Sequence, residues 1–202
     1  MTLLSKTPDP LIRNQVYKQL YHFLHYPTEN TGISLARNGG MDCINELDDA
    51  SITRNANALS TEIGKVNLQD LQVEYVRLFD YRPTCPPFES AYRNGIKRPQ
   101  LMKDLVECYR EAGIECAHSF ALDHFSVEFE FMHYLSYWEQ NAEGKHCREW
   151  RDKEREFLDN HILKWVPSFC CQMMAVAQNP FKLLSQIIDE FVQDERALLC
   201  VR

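Results

Sequence analysis

Three Glu-x-x-His pairs stand in this chain, Glu115/His118, Glu130/His133 and Glu143/His146, at the spacing by which a helix offers a carboxylate and an imidazole to one metal ion. A di-metal helical enzyme needs two such pairs and two further glutamates, all projecting into the bundle. Here Glu130 and His133 lie opposite the apolar side of their own segment. Glu143-Gly144-Lys145-His146 falls at a turn, and Glu115/His118 follows Gly113 in a connection. No metal ligand and no cofactor is therefore expected, and a helical metalloenzyme with a Glu-x-x-His di-metal site is the alternative reading. Nucleophilic catalysis has no firmer footing, because neither Ser90 nor any cysteine sits in a nucleophile elbow or a local signature of activation. The 8 cysteines (Cys43, Cys85, Cys108, Cys116, Cys147, Cys170, Cys171 and Cys200) contain no C-x-x-C pair, which argues against zinc ribbons and dithiol redox motifs. They read as buried thiols of a reducing compartment, and the adjacent Cys170 and Cys171 point about 100° apart on a helix. With no Gly-rich phosphate loop either, no catalytic residue is expected and the chain reads as a non-enzyme.

The densest block is built for contact instead. It runs Glu74-Tyr75-Val76-Arg77-Leu78-Phe79, through a proline-broken loop, to Pro86-Pro87-Phe88-Glu89-Ser90-Ala91-Tyr92. On a helix over 68–80, Leu68, Leu71, Tyr75, Leu78 and Phe79 form one stripe, with Asp70 and Arg77 on the far side and Glu74 at the edge. Leu68 and Leu71 suit a core, whereas Tyr75 and Phe79, beside a loop, suit a groove for another helix. The loop 80–87 carries three prolines, so it is expected to be stiff and extended. It is also a candidate hinge for exchanging halves between protomers. In a second block, Asp123-His124-Phe125-Ser126-Val127-Glu128-Phe129-Glu130-Phe131-Met132, the ionisable His124 and Glu128 fall within an apolar face made by Phe125, Phe131, Met132, Leu135 and Trp138. Buried groups of this kind need partners, expected for Asp123, His124 and Glu128 on the segment holding Glu89 and Ser90.

The elements that position these blocks are helices. Apolar residues recur at three and four between prolines grouped at segment ends, and only 7 glycines occur in 202 residues. The pattern predicts an all-α, single-domain multi-helix bundle over 1–202 with about nine or ten helices. They fall at roughly 9–26, 40–48, 51–64, 68–80, 88–93 (a short turn), 99–112, 123–141, 145–165, 168–178 and 180–199. Asn67 and Asp123 suit N-caps, Pro99 a first turn and Gly113 a position past a C-terminus. No apolar run spans a bilayer and no signal sequence opens the chain, so a cytoplasmic protein with no stable membrane insertion is expected. The net charge of −7 argues against nucleic acid and anionic lipid and would favour a basic partner.

At these blocks the chain resembles the TorD/DmsD/NarJ-type redox-enzyme maturation proteins, chaperones of molybdenum-cofactor oxidoreductases. The resemblance rests on Glu74-Tyr75-x-x-Leu78-Phe79, Pro86-Pro87-Phe88-Glu89-Ser90-x-Tyr92, and Asp123-His124 followed by Glu128-Phe129-Glu130-Phe131-Met132. A looser fourth piece is Phe157-Leu158-x-x-His161-Ile162-x-x-Trp165-x-x-x-Phe169. Many relatives have proline where Leu122 stands, and tryptophan at one or both of the positions of Tyr75 and Tyr92. The resemblance implies a TorD-like helical fold and a client-specific chaperone. Such a chaperone binds the N-terminal leader, often a twin-arginine signal peptide, of the apo-form of a molybdoenzyme catalytic subunit before export or assembly. It assigns peptide binding to Tyr75, Leu78, Phe79, Pro86, Pro87, Glu89, Ser90, Tyr92, Asp123 and His124, and Glu128 joins them as their expected buried partner. Monomer and domain-swapped dimer both remain open, as does a general helical adaptor.

Overall fold

The computed structural model describes residues 10–29, 42–47, 49–115 and 121–200. In order these form α1 (Pro10–Phe23), the single turn α2 (Asp42–Asn45), α3 (Ala50–Lys65), α4 (Leu68–Phe79), α5 (Arg98–Glu111), α6 (Phe125–Asn141), α7 (Lys145–Phe157), α8 (Leu163–Val176) and α9 (Phe181–Leu199). A 3-10 turn, Glu89–Ala91, lies between α4 and α5. α3, α4 and α6 begin where a side chain satisfies free backbone N–H groups of the first turn. The Asp49 carboxylate caps α3 by accepting from the N–H groups of Ser51 and Ile52 at 2.7 and 2.8 Å. Asn67 caps α4 in the same way through Asp70 N–H. Gly113, at φ +83°, follows α5 where a left-handed residue is required.

The all-helical expectation holds, with eight long helices and one single turn among the described residues in place of nine or ten. The expected break before 168 is absent, because a wide π-turn over Leu158–Ile162 carries α7 directly into α8 and Pro167 sits inside that helix. A shift from the α to the π ladder just ahead of a proline is one way a helix absorbs a missing N–H donor. The cap of α6 also differs. His124, not Asp123, takes that place, its Nδ1 accepting from Ser126 N–H at 3.2 Å, while Asp123 is fully buried.

α1 packs chiefly on α6, α6 on α7, α8 on α9, and α9 on α3, around one continuous apolar core. Inside it lies a buried charge cage. Arg13 on α1 donates from Nε to Glu195 on α9 (2.8 Å), from Nη1 to Glu139 on α6 (2.8 Å) and from Nη2 to Glu154 on α7 (2.6 Å). Tyr17 donates to Glu195 at 2.9 Å, and Arg151 approaches Glu139 at 3.1 Å from the rim. Two cations thus meet three carboxylates. Burial pushes Glu154 up, Arg13 pulls it back, and Glu195 and Glu139 push it up again, so its pKa stands well above the usual carboxylate range. Burial opposes the charge of Arg13, but Glu195 and Glu154 outweigh it and raise its pKa. With Glu154 protonated the cage is neutral.

Removing the guanidinium leaves the Glu195 carboxylate without a cation in the core and Glu139 with Arg151 alone, so Arg13→Met is expected to lower the unfolding free energy by about 3–5 kcal/mol in urea titrations. The folded chain keeps the Glu154 proton that the unfolded chain loses near pH 4.3, about the model-peptide value. Its contribution is therefore complete below that pH and is lost as pH rises through the elevated folded pKa. Glu154→Gln is expected to flatten this decline, read from urea midpoints over a pH series. An unchanged slope would place the retained proton elsewhere.

Candidate functional site

The two contact blocks, far apart in sequence, are joined through their backbones. Phe88 and His124 form an antiparallel bridge, Glu89 N–H donates to Asp123 O at 2.8 Å, and Phe125 N–H donates to Pro87 O at 2.9 Å. Prolines suit this arrangement, since they hold an extended backbone and here supply only carbonyls. The Phe88 ring stands edge-on to the His124 imidazole, with centroids 5.1 Å apart. The loop ahead of the junction is less extended than its prolines suggest. After Phe79 the chain doubles back, Thr84 and Cys85 N–H bonding to the carbonyls of Arg77 and Leu78, with Arg82 at φ +52°. Only at 86–88 does it run straight.

Behind the bridge lies a second acidic cluster. Glu89 is fully buried, accepts from Arg93 on the next turn, and meets His161 Nδ1 at 3.0 Å. Glu128 accepts from the Trp165 indole at 2.8 Å and faces Glu89. Burial and the neighbouring Glu89 carboxylate hold Glu128 well above the ordinary range, which keeps it neutral. The apolar side of the junction converges on α8, where Phe169 meets Phe79 at 6.2 Å, Tyr92 at 6.1 Å and Phe125 at 5.6 Å. The fourth sequence piece is thus the part on which the other three pack. Sequence reading quoted His161, Trp165 and Phe169 but gave them no role, and it missed Arg93 and Arg98.

The assigned residues divide by exposure. Leu78, Phe79, Pro87, Glu89, Asp123 and Glu128 are buried, whereas Tyr75, Pro86, Ser90, Tyr92 and His124 are partly exposed. Tyr75 donates to Leu24 O at 3.1 Å, stands edge-on to Tyr26 and Phe79, and is pushed up to about 12 by burial. Burial, then nearby His25, lowers the His124 pKa against the pull of Asp123, so His124 is neutral near pH 7. Asp123 bonds to Glu89 through its main chain, while neither carboxylate oxygen has a hydrogen-bond partner among the described residues. The exposed Arg98 guanidinium stands 3.6 Å from one of them.

Cys108, His161 and Glu89 lie in line, with Cys108 Sγ 3.7 Å from Nε2 and Glu89 on Nδ1. The arrangement has the shape of a nucleophile relay without its electrostatics. Burial pushes the Cys108 thiol up to about 11, reinforced by Glu111, Glu156 and Asp104, so the reactive thiolate is suppressed. Among the described residues no group of three or more His, Cys, Asp or Glu is placed to hold a metal ion. In the Glu-x-x-His pairs, Glu130 is exposed while His133 Nδ1 lies 3.1 Å from Asn14 O; His146 pairs with Glu149, and His118 lies outside the described residues.

A profile described as nitrate reductase delta subunit matches residues 45–171. The chain belongs to the nitrate reductase delta subunit family. That span contains all four sequence pieces and the junction they form. Within curated relatives, the selenate reductase assembly chaperone protein of Thauera selenatis is 25% identical over 138 residues, covering 65% of this chain and 71% of its own. The perchlorate reductase assembly chaperone protein of Dechloromonas aromatica (strain RCB) is 25% identical over 134 residues, 62% of this chain and 60% of its own. The chlorate reductase assembly chaperone protein of Ideonella dechloratans is 23% identical over 138 residues, 65% of this chain and 71% of its own. A redox enzyme maturation protein from Archaeoglobus fulgidus shares the fold, with a TM-score of 0.54, 19% identity and coverage of 92% of this chain and 93% of that one. As a member of the nitrate reductase delta subunit family the chain is a maturation chaperone and not an enzyme.

Because Cys108 is held as a thiol, its alkylation by iodoacetamide at pH 8 is expected to lag behind that of the exposed Cys171 and Cys200. His161→Ala should not slow it further. A Cys108 rate above that of a free thiol, lost in His161→Ala, would restore the relay as a working nucleophile.

Proposed function

We propose that this chain is a client-specific cytoplasmic chaperone that holds the N-terminal leader of a molybdenum-cofactor oxidoreductase catalytic subunit while the apo-enzyme is matured. The proposed working unit is one all-helical domain over 1–202, as a monomer or as a dimer exchanged at 80–87. The relatives named for selenate, perchlorate and chlorate reductases support an oxidoreductase client. No helix among the described residues is long and apolar enough to cross a membrane, in keeping with a site in the cytoplasm.

The observation that carries the reading is the Asp123 carboxylate, buried at the junction with acceptors unused among the described residues, with the 62% exposed side chain of Arg98 as its nearest cation. An arginine of the leader can take the place of Arg98 and form the two-pronged bond that Arg98, at 3.6 Å, does not. Next to it His124, and along the same two blocks Pro86, Tyr92 and Tyr75, offer partly exposed aromatic and apolar surface to the leader's apolar residues. The buried Leu78, Phe79, Pro87, Glu89 and Glu128 hold that surface in place, and Ser90 lies at its edge.

The client is to be captured on the tagged chain from its native host under anaerobic conditions and identified by mass spectrometry, where a molybdoenzyme catalytic subunit is expected. Binding of its labelled leader is then measured by fluorescence anisotropy. Asp123→Asn and His124→Ala should each weaken binding more than about tenfold, near 1.4 kcal/mol, and Arg98→Ala should preserve or tighten it. Unchanged affinity in both weakening variants, with native circular dichroism, would refute the site.

A further inference from the structure

α6 is apolar on two sides. Phe125, Phe129, Met132 and Leu135 face the core, while Val127, Phe131, Tyr134, Tyr137 and Trp138 recur at three- and four-residue spacing on another side, where Phe131 is buried against Tyr109 and Phe157 and the rest are partly or well exposed. A helix apolar all round is normally covered all round. Here Tyr137 is 47% and Trp138 39% exposed. Between this side and the end of α5 lies a groove of about 600 Å³, walled on the other flank by Tyr109, Ile114 and Leu122. That volume is in the range of sites that take a specific ligand. Its floor is preformed, since the Tyr134 hydroxyl is tied to Ala112 O at 3.0 Å and Phe131 packs edge-on to Tyr109 with centroids 4.5 Å apart.

The groove's charge selects its occupant. Among the described residues, Glu115 and Glu130, both exposed, are the carboxylates that line it, and the only other ionisable side chain there besides tyrosines is His133, kept neutral chiefly by burial. A phosphate-bearing cofactor or an acidic peptide is repelled by such a rim, and an apolar peptide with a basic flank is attracted. We propose that this groove is a second docking site, which takes an apolar, base-flanked segment of the client separate from the arginine seated at Asp123. The inference rests on the chaperone reading for its partner. It does not depend on the Asp123 site, although Leu122 in the groove wall directly precedes that residue.

The probe is a short helix-forming peptide with leucines on one face and lysines flanking them, and its counterpart with glutamates in place of the lysines. Anisotropy should show the lysine peptide binding the full chain and the glutamate peptide failing to bind. Glu130→Lys and Tyr137→Ala should each weaken the lysine peptide by about fivefold or more, about 1 kcal/mol, while the same charge change on α3, Glu62→Lys, leaves it unchanged. Absence of binding, or binding indifferent to both groove variants, would overturn the proposal and leave the Asp123 test untouched. Two other occupants would also overturn it. A dimer in sedimentation that Tyr137→Arg dissociates would assign the groove to a second copy. Peptide binding gained only in Phe120→Ser would assign it to the chain's own residues 116–120.

Discussion

The guanidinium of Arg13 is enclosed by carboxylates from three other helices, and the placement of α6 follows from that enclosure. α1 lies along α6 with Asn14 bonded to His133 O and Ser136, so a shift of either helix would break Arg13–Glu139 and this polar contact together. The N-terminal end of α6 is where His124 and Asp123 meet the 87–89 backbone. The junction therefore inherits its position from a charge cage at the other end of the same helix. Such a cage adds little net stability over an apolar packing of equal volume, yet every misregistered alternative leaves a bare charge in the core. Its contribution is to the uniqueness of the packing.

The same chemistry recurs at the junction. In the cage acids outnumber the bases that reach them, at the junction two buried glutamates face each other, and one glutamate in each cluster, Glu154 and Glu128, resolves the repulsion by keeping its proton. A fully ionised set would repel itself in a low-dielectric interior, and a fully neutral set would leave Arg13 or Arg93 unpaired. Retaining a single proton satisfies both limits, and it explains how a chain of net charge −7 can bury five glutamates.

Periodicity and capping made most of the helices legible, because Asn67, Pro99 and Gly113 act through neighbours within one turn. What failed was whatever depended on distant parts. Pro167 reads as a break unless the π-turn before it is known, and that turn is set by packing of His161 and Ile162 in the core. Asp123 has the better N-cap chemistry, but its place in the backbone pairing with Glu89 turns it inward and passes the cap to His124. Trp138 lay on a projected core face and stands partly exposed against Trp150, a partner that no local window contains. Arg13 was invisible altogether. An arginine in an N-terminal helix is ordinarily a solvent-facing residue, and only the convergence of Glu139, Glu154 and Glu195 marks it as central. For the contact blocks, residue types and order identified the pieces, while the fact that most of their side chains point inward emerges only from the fold.

The span of the Arg13–Glu195 pair has a kinetic side. It links residues separated by 182 positions, so the charge cage closes nearly the whole chain into one loop. During synthesis α1 can meet α6 and α7 early, but its guanidinium and Tyr17 stay short of their last partner until α9 has left the ribosome. Contacts of such separation form late and slow the final step of folding. In a growing chain the segments of the Asp123 junction, within residues 79–169, are thus all present before the cage that fixes α6 can be completed by α9.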